Sequence, residues 1–128
     1  LNREKFEANN LLEVLKNFDS PASKNISYLS HIVKVRSRLK AFHPEASMKC
    51  ITTTISNCVI IKRGLTEDSI YVFCNMSSKC LNISPLNEPN LSESFSNKKI
   101  IDNITGSNLN IDKFKLNPYQ VVWISLID

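Results

Sequence analysis

The sequence predicts an α+β fold in which a helical segment (1–45) precedes an antiparallel β region (46–128). Apolar residues recur at helical spacing as far as Phe42. After Pro44 the chain turns to short β-branched runs separated by turn residues. Two of those runs, "CVIIKR" and "SIYVFCN", flank the short connection "GLTED" and read as a hairpin.

In the first helix Leu11, Leu15 and Phe18 lie at i, i+4 and i+7, on one apolar face, with Glu4 and Glu7 in its first turns. "DSPAS" interrupts it. Ser20 is placed to accept a backbone N–H as an N-cap, and Pro21 suits the first helical position because its missing donor is not needed there. In the second helix Tyr28, Ile32, Val35, Leu39 and Phe42 form one stripe, widened by Leu29 and Val33. His43-Pro44 is expected to end it, since a residue before proline is pushed out of helical geometry. So broad a stripe asks for more apolar area than a small sheet offers, which suggests that a further body covers it.

Strands are expected near 50–56, 58–63, 69–75, 79–83, 98–104, 111–116 and 119–126. "SPLNEPNLSESFSN" (84–97), with two prolines and many polar residues, reads as a surface loop. "DNITG" should end a strand in a turn at Gly106, and Pro118 sits just ahead of the last strand. Only two glycines occur in 128 residues, so asparagine has to serve many turns.

Composition narrows the function classes. No apolar run approaches the roughly 20 residues that cross a bilayer. The net charge of +4 would point to nucleic acid only if the cations gathered with exposed aromatics. Lys34, Arg36, Arg38 and Lys40 instead cluster late in the second helix, where cations oppose the negative end of its dipole. Neither a nucleic-acid nor a membrane partner is expected. The four cysteines (50, 58, 74, 80) have no CxxC spacing, the two histidines do not complete a zinc site, and no metal or cofactor is expected. Five N-x-S/T sequons (Asn25, Asn75, Asn82, Asn90, Asn103) would suit a secreted protein. In a chain this rich in Asn and Ser, chance matches are expected, and reduced thiols in a cytoplasmic protein are the favoured reading.

The segments "VRSRLKAFHPEA", "VFCNMS", "DNITG" and "LNPYQVVWI", in this order, resemble the C-terminal end of a glycoside hydrolase family 13 enzyme of the sucrose phosphorylase group. "LNR" (Leu1–Arg3) resembles the "INR" found after the eighth barrel strand. "AFHPEA" (Ala41–Ala46) is closer to the glucosylglycerate and sucrose 6-phosphate phosphorylase branch. The opening "LNREKFEANN" itself reads like part of a longer chain.

The resemblance implies that residues 1–45 are the last helices of a (β/α)8 barrel and that 46–128 form an antiparallel, sandwich-like domain C. The last strand would then close domain C, with Trp123 filling its core; a sugar-stacking platform is the rival role for that residue. The implied chemistry is retaining transfer of an α-glucosyl group to inorganic phosphate through a covalent intermediate. The family's catalytic carboxylates come from barrel strands four, five and seven, so none is expected in this chain. Glu67 and Asp68 fall in a turn, and Asp102 and Asp112 at strand edges. The one candidate substrate-binding residue is Arg3, whose planar fork could hold a carboxylate, phosphate or sugar hydroxyls, or could merely tie the helix to the barrel. His31 and His43 have no nucleophile beside them and read as capping or packing residues.

The expected role is therefore support of a catalytic barrel by a chain that is catalytically incomplete alone. The alternative is a free-standing, secreted β-sandwich binding module, which would carry disulfides and glycans.

Overall fold

The structure is a computed structural model that describes residues 5, 7–65 and 68–128. The chain divides into two compact units, Leu1–Arg36 and Ser37–Asp128.

The first unit carries α1 (Ala8–Lys16) and most of α2 (Pro21–Arg38). Ser20 caps α2 as its sequence position suggests: its Oγ accepts the Ser23 N–H at 3.1 Å, with Pro21 next in line. The Ser20 hydroxyl donates back to the Val14 carbonyl and the Ser23 hydroxyl to Leu15, so the turn is tied to the end of α1. Helix α2 stops at Arg38, earlier than the periodicity implies, and Lys40–Phe42 tighten into a 3₁₀ turn. Leu39 is already extended (φ −98°, ψ 108°), so the stripe from Leu39 to Phe42 is redirected and does not continue down the helix.

The second unit is built on a six-stranded antiparallel sheet in the order β1-β2-β3-β8-β5-β6, with a two-stranded sheet of β4 and β7. The strands are β1 (Met48–Ile51), β2 (Cys58–Arg63), β3 (Ile70–Asn75), β4 (Leu81–Ile83), β5 (Lys99–Asp102), β6 (Ser107–Leu109), β7 (Phe114–Leu116) and β8 (Val121–Ile127). The hairpin read around "GLTED" is β2–β3, with Cys58 opposite Asn75 and Arg63 opposite Ile70.

Alternation along these strands makes two apolar clusters, one on each face of the sheet. Ile60, Tyr71, Phe73, Ile100, Val122 and Ile124 point one way and pack with Ile83, Phe114 and Leu116 of the small sheet. Phe73 meets Phe114 edge-on across this core, with ring centroids 5.6 Å apart. On the opposite face Ile70, Val72 and half-buried Trp123 pack against Leu39, Ala41 and Phe42. Strand β3 is covered on both sides and is buried at five of its six positions.

The 84–97 segment is not the surface loop expected from its composition. Pro85–Asn87 form a 3₁₀ turn and Ser92–Phe95 a single helical turn, α3. Leu91 and Phe95, four residues apart, are buried in the main core, and Phe95 packs on Tyr71 at 4.9 Å and on Phe73 at 6.2 Å. The prolines open turns, while the i, i+4 apolar pair drives the segment inward. The strand expected over 50–56 is also displaced, to Met48–Ile51. Asparagine serves the turns as expected: Asn57 and Asn97 take positive φ (61° and 59°), as do Tyr119 and the two glycines.

Candidate functional site

Arg3, the residue given a substrate-binding role by sequence resemblance, lies outside the described residues, as does Glu67. The remaining candidates can be followed.

Among the described residues two carboxylates are buried, Glu88 and Asp102, and each is consumed by its own chain. Glu88 accepts from the Thr53 hydroxyl (2.9 Å), the Thr54 N–H (2.9 Å) and the Thr54 hydroxyl (2.6 Å). Burial alone would raise its pKa, but these hydrogen bonds outweigh it and hold the carboxyl below its ordinary value. Asp102 accepts from the backbone N–H groups of Ile104, Thr105 and Trp123 and from the Thr105 hydroxyl. A carboxylate whose lone pairs are spent on fixed donors is a poor nucleophile or proton donor. Both are turn organisers: Glu88 pins the 52–54 turn to the 85–95 segment, and Asp102 builds the "DNITG" turn, where Gly106 (φ 72°) donates to the Asp102 carbonyl.

Trp123 is engaged as well. The Phe42 ring lies 4.5 Å from it, tilted by 46°, in the second cluster. That contact occupies aromatic surface which a sugar would need. His43 accepts the Glu45 N–H through Nδ1 at 3.3 Å, a local capping bond. Its carbonyl, with that of Ala41, receives the Arg63 guanidinium at 3.0 and 3.2 Å, which fastens the 41–43 segment to β2.

The sequons divide by burial. The Asn75 side chain is 2% exposed, and its Nδ2 donates to the carbonyls of Lys79 and Asn117 while its Oδ1 accepts from Ser77. Asn103 donates to the Trp123 carbonyl and the Ser125 hydroxyl, and Asn90 to the Thr52 carbonyl. Three of the five acceptor amides are thus hydrogen-bonded to the fold, Asn75 buried, Asn103 half-buried and Asn90 at the surface. The "CNMS" and "DNITG" segments owe their asparagines to turn construction. Cys58 and Cys74 belong to clusters on opposite faces of the sheet, a direction no disulfide can bridge without moving backbone. Burial, with the neighbouring Cys74 and Glu88, pushes the Cys58 thiol up to about 11.

No group of three or more His, Cys, Asp or Glu suited to a metal occurs among the described residues. No helix of the described residues is long and apolar enough to cross a membrane.

Of the surface grooves among the described residues, two stand out by their lining, one apolar and one polar. On the helical unit, Ile26, Leu29 and Val33 line an apolar groove of about 430 Å³ with Ser30 and Lys34. Leu11, Leu12, Val14, Phe18 and Tyr28 are also exposed, and α1 has no buried residue at all. On the β unit, a polar groove of about 310 Å³ runs between the β1–β2 edge and the 90–94 segment, lined by Lys49, Thr52, Lys62, Tyr71, Asn90 and Ser94 among others. Sequence reading missed this second groove, because Asn90 and Ser94 belong to a segment taken for a loop.

No family model matches the chain. Glucosylglycerate phosphorylase of Allomeiothermus silvanus is 28% identical over 124 residues, which cover 97% of this chain and 19% of that protein, in its C-terminal part. The chain is similar to the C-terminal part of glycoside hydrolase family 13 enzymes. Solved structures of such enzymes share the fold. An AmyP variant crystallised with maltotriose superposes with a TM-score of 0.66, at 14% identity, over 88% of this chain and 22% of its own. Trehalose-6-phosphate hydrolase (TreA) of Bacillus licheniformis gives 0.61, at 15% identity, over 91% and 20%. The chain therefore spans about a fifth of the length of each of these family 13 relatives, and its β-rich part has the α+β architecture they share.

Proposed function

We propose that this chain is the C-terminal portion of a retaining, α-glucosyl-transferring glycoside phosphorylase. Residues 46–128 act as its domain C, and residues 1–45 supply the last helices of its barrel. The observation that carries this reading is the match to a glucosylglycerate phosphorylase along 97% of the chain. The apolar residues left exposed on α1 and α2 support it, because a face of that size is normally covered. The catalytic steps then belong to an upstream barrel, where one carboxylate attacks the anomeric carbon, a second protonates the leaving oxygen, and phosphate takes the glucosyl group.

On this reading the two buried carboxylates hold turns and the chain's task is mechanical. Its sheet is tied through Arg63 and the Phe42–Trp123 contact to the 41–43 segment. Arg3 would reach toward the barrel's substrate face and bind phosphate or sugar hydroxyls there. The enzyme would work in the cytoplasm with its thiols reduced, on an α-glucoside and inorganic phosphate.

Extending the coding sequence upstream and assaying the complete product is the test. Phosphate-dependent release of glucose 1-phosphate from glucosylglycerate, sucrose or sucrose 6-phosphate is expected. An upstream region without a barrel bearing an Asp nucleophile and a Glu acid would overturn the reading, as would a start codon immediately before Leu1.

A further inference from the structure

We infer that the groove between the β1–β2 edge and the 90–94 segment is a binding site for a phosphate dianion, either free or carried by a small phosphate ester. Lys49 and Lys62 are directly opposed in the β1–β2 ladder and project into the same groove. Like charges directly opposite each other across a strand pair are destabilising, so this arrangement costs stability unless something offsets it. No carboxylate lines the groove, and neither lysine has an ion-pair partner among the described residues.

The rest of the lining suits an oxyanion. Thr52, Tyr71 and Ser94, which carry hydroxyl groups, line the groove with Cys50, Ile51 and the two lysines, and Lys62 is half-buried, with its Nζ 5.3 Å from the Tyr71 ring centroid. The walls are held in place independently of any ligand. Asn90 donates to the Thr52 carbonyl at 2.9 Å, and Glu88 binds Thr53 and Thr54, so the two sides of the groove are clamped at one end. The same bonds turn the Glu88 carboxylate toward the threonines, and it is not part of the lining. Two cations and a set of hydroxyl donors in a fixed concavity match a doubly charged tetrahedral anion better than a neutral sugar. A lysine pair placed only to discourage edge-to-edge pairing would have no need of a walled groove. This assignment does not depend on the upstream barrel.

The test is titration of the isotope-labelled 128-residue chain with inorganic phosphate at constant ionic strength, followed through amide chemical shifts. Glucose 6-phosphate and sulfate are titrated in parallel. Saturable shifts at Lys49, Thr52, Lys62 and Ser94 are expected, weakened at least tenfold in the K49Q/K62Q double variant and unchanged in K115Q. Tighter binding of glucose 6-phosphate than of phosphate would identify the ester as the ligand; weaker binding would identify the free anion, and equal binding the phosphate group common to both. K49Q alone, at an exposed position, keeps the test valid if the double variant does not fold. Shifts that do not saturate, that persist in K49Q/K62Q, or that sulfate reproduces with equal affinity would mean an adventitious ion only, and would overturn the assignment.

Discussion

Phe42 rests against Trp123, with ring centroids 4.5 Å apart, and this pair covers the face of the sheet opposite the main core. The contact joins the 3₁₀ turn to the last strand within the second unit, so the 39–42 turn acts as a lid on Ile70 and Val72. Replacing Phe42 by Ala should cost about 2–3 kcal/mol, somewhat less than a fully buried phenylalanine. Urea denaturation followed by Trp123 fluorescence reads both effects: a lower midpoint, and native emission shifted to longer wavelength. Unchanged native emission would mean that Phe42 does not shield the indole.

Glu88 makes the second unit acid-sensitive. Its carboxyl titrates lower in the folded protein than the ordinary value of 4.5, so the stabilisation is complete above that value and is lost as pH falls through the folded one. E88Q should lower stability by about 1–3 kcal/mol at pH 7 and flatten the acid limb of the pH–stability curve. Parallel curves for E88Q and the parent below pH 5 would remove Glu88 as the responsible group.

Thiol reactivity should follow burial. Cys50 and Cys80 are exposed, Cys58 is buried, and burial also raises the Cys74 thiol above its ordinary 9.0. At pH 8 a thiol reagent should label Cys50 and Cys80 quickly in the native chain, Cys74 more slowly, and Cys58 only on unfolding. Rapid labelling of Cys58 in the native state would contradict the packing of β2.

Asn75 joins three segments through one amide group, so N75A should cost roughly 2–4 kcal/mol by leaving the Lys79 and Asn117 carbonyls without their donor. If the chain is routed through a secretory pathway, mass spectrometry should find glycan at Asn25 or Asn82 and none at Asn75 or Asn103. Occupied Asn75 would require that modification precede folding.

The exposed helix face separates stability from assembly. L29E/V33E should change the stability of this chain by no more than about 0.5 kcal/mol, as surface substitutions do. In the complete enzyme of the proposed function the same pair should lower soluble yield and activity severalfold. Equal behaviour in both settings would argue that nothing covers this face.

How far the sequence carried the fold can be traced to particular residues. β2, β3 and β8 were legible because Val, Ile, Phe and Tyr alternate there between clear turn residues. The cap at Ser20-Pro21 was legible because it is purely local. β6 was not, since "SNL" has no strand signature and is held by its register with Ile100–Asp102. α3 was hidden by the prolines and serines around Leu91 and Phe95, whose burial is decided by distant Tyr71 and Phe73. The end of α2 was misplaced because Leu39, Ala41 and Phe42 keep helical spacing while serving the sheet. The candidate site was less legible still. The resemblance was carried by the end of α2, by parts of β3 and β8 and by the turns beside them, and the Lys49–Lys62 pairing exists only once β1 and β2 are in register.

β8 lies between β3 and β5, and it alone joins the 48–75 strands to the 99–109 hairpin within the large sheet. A chain lacking residues 117–128 would therefore keep two separate β assemblies facing an open slot with unsatisfied amides on both sides. A synthetic peptide of that sequence, added in trans, could fill the slot by strand complementation. The fold could thus be split at its last turn and reassembled on demand as a two-piece reporter.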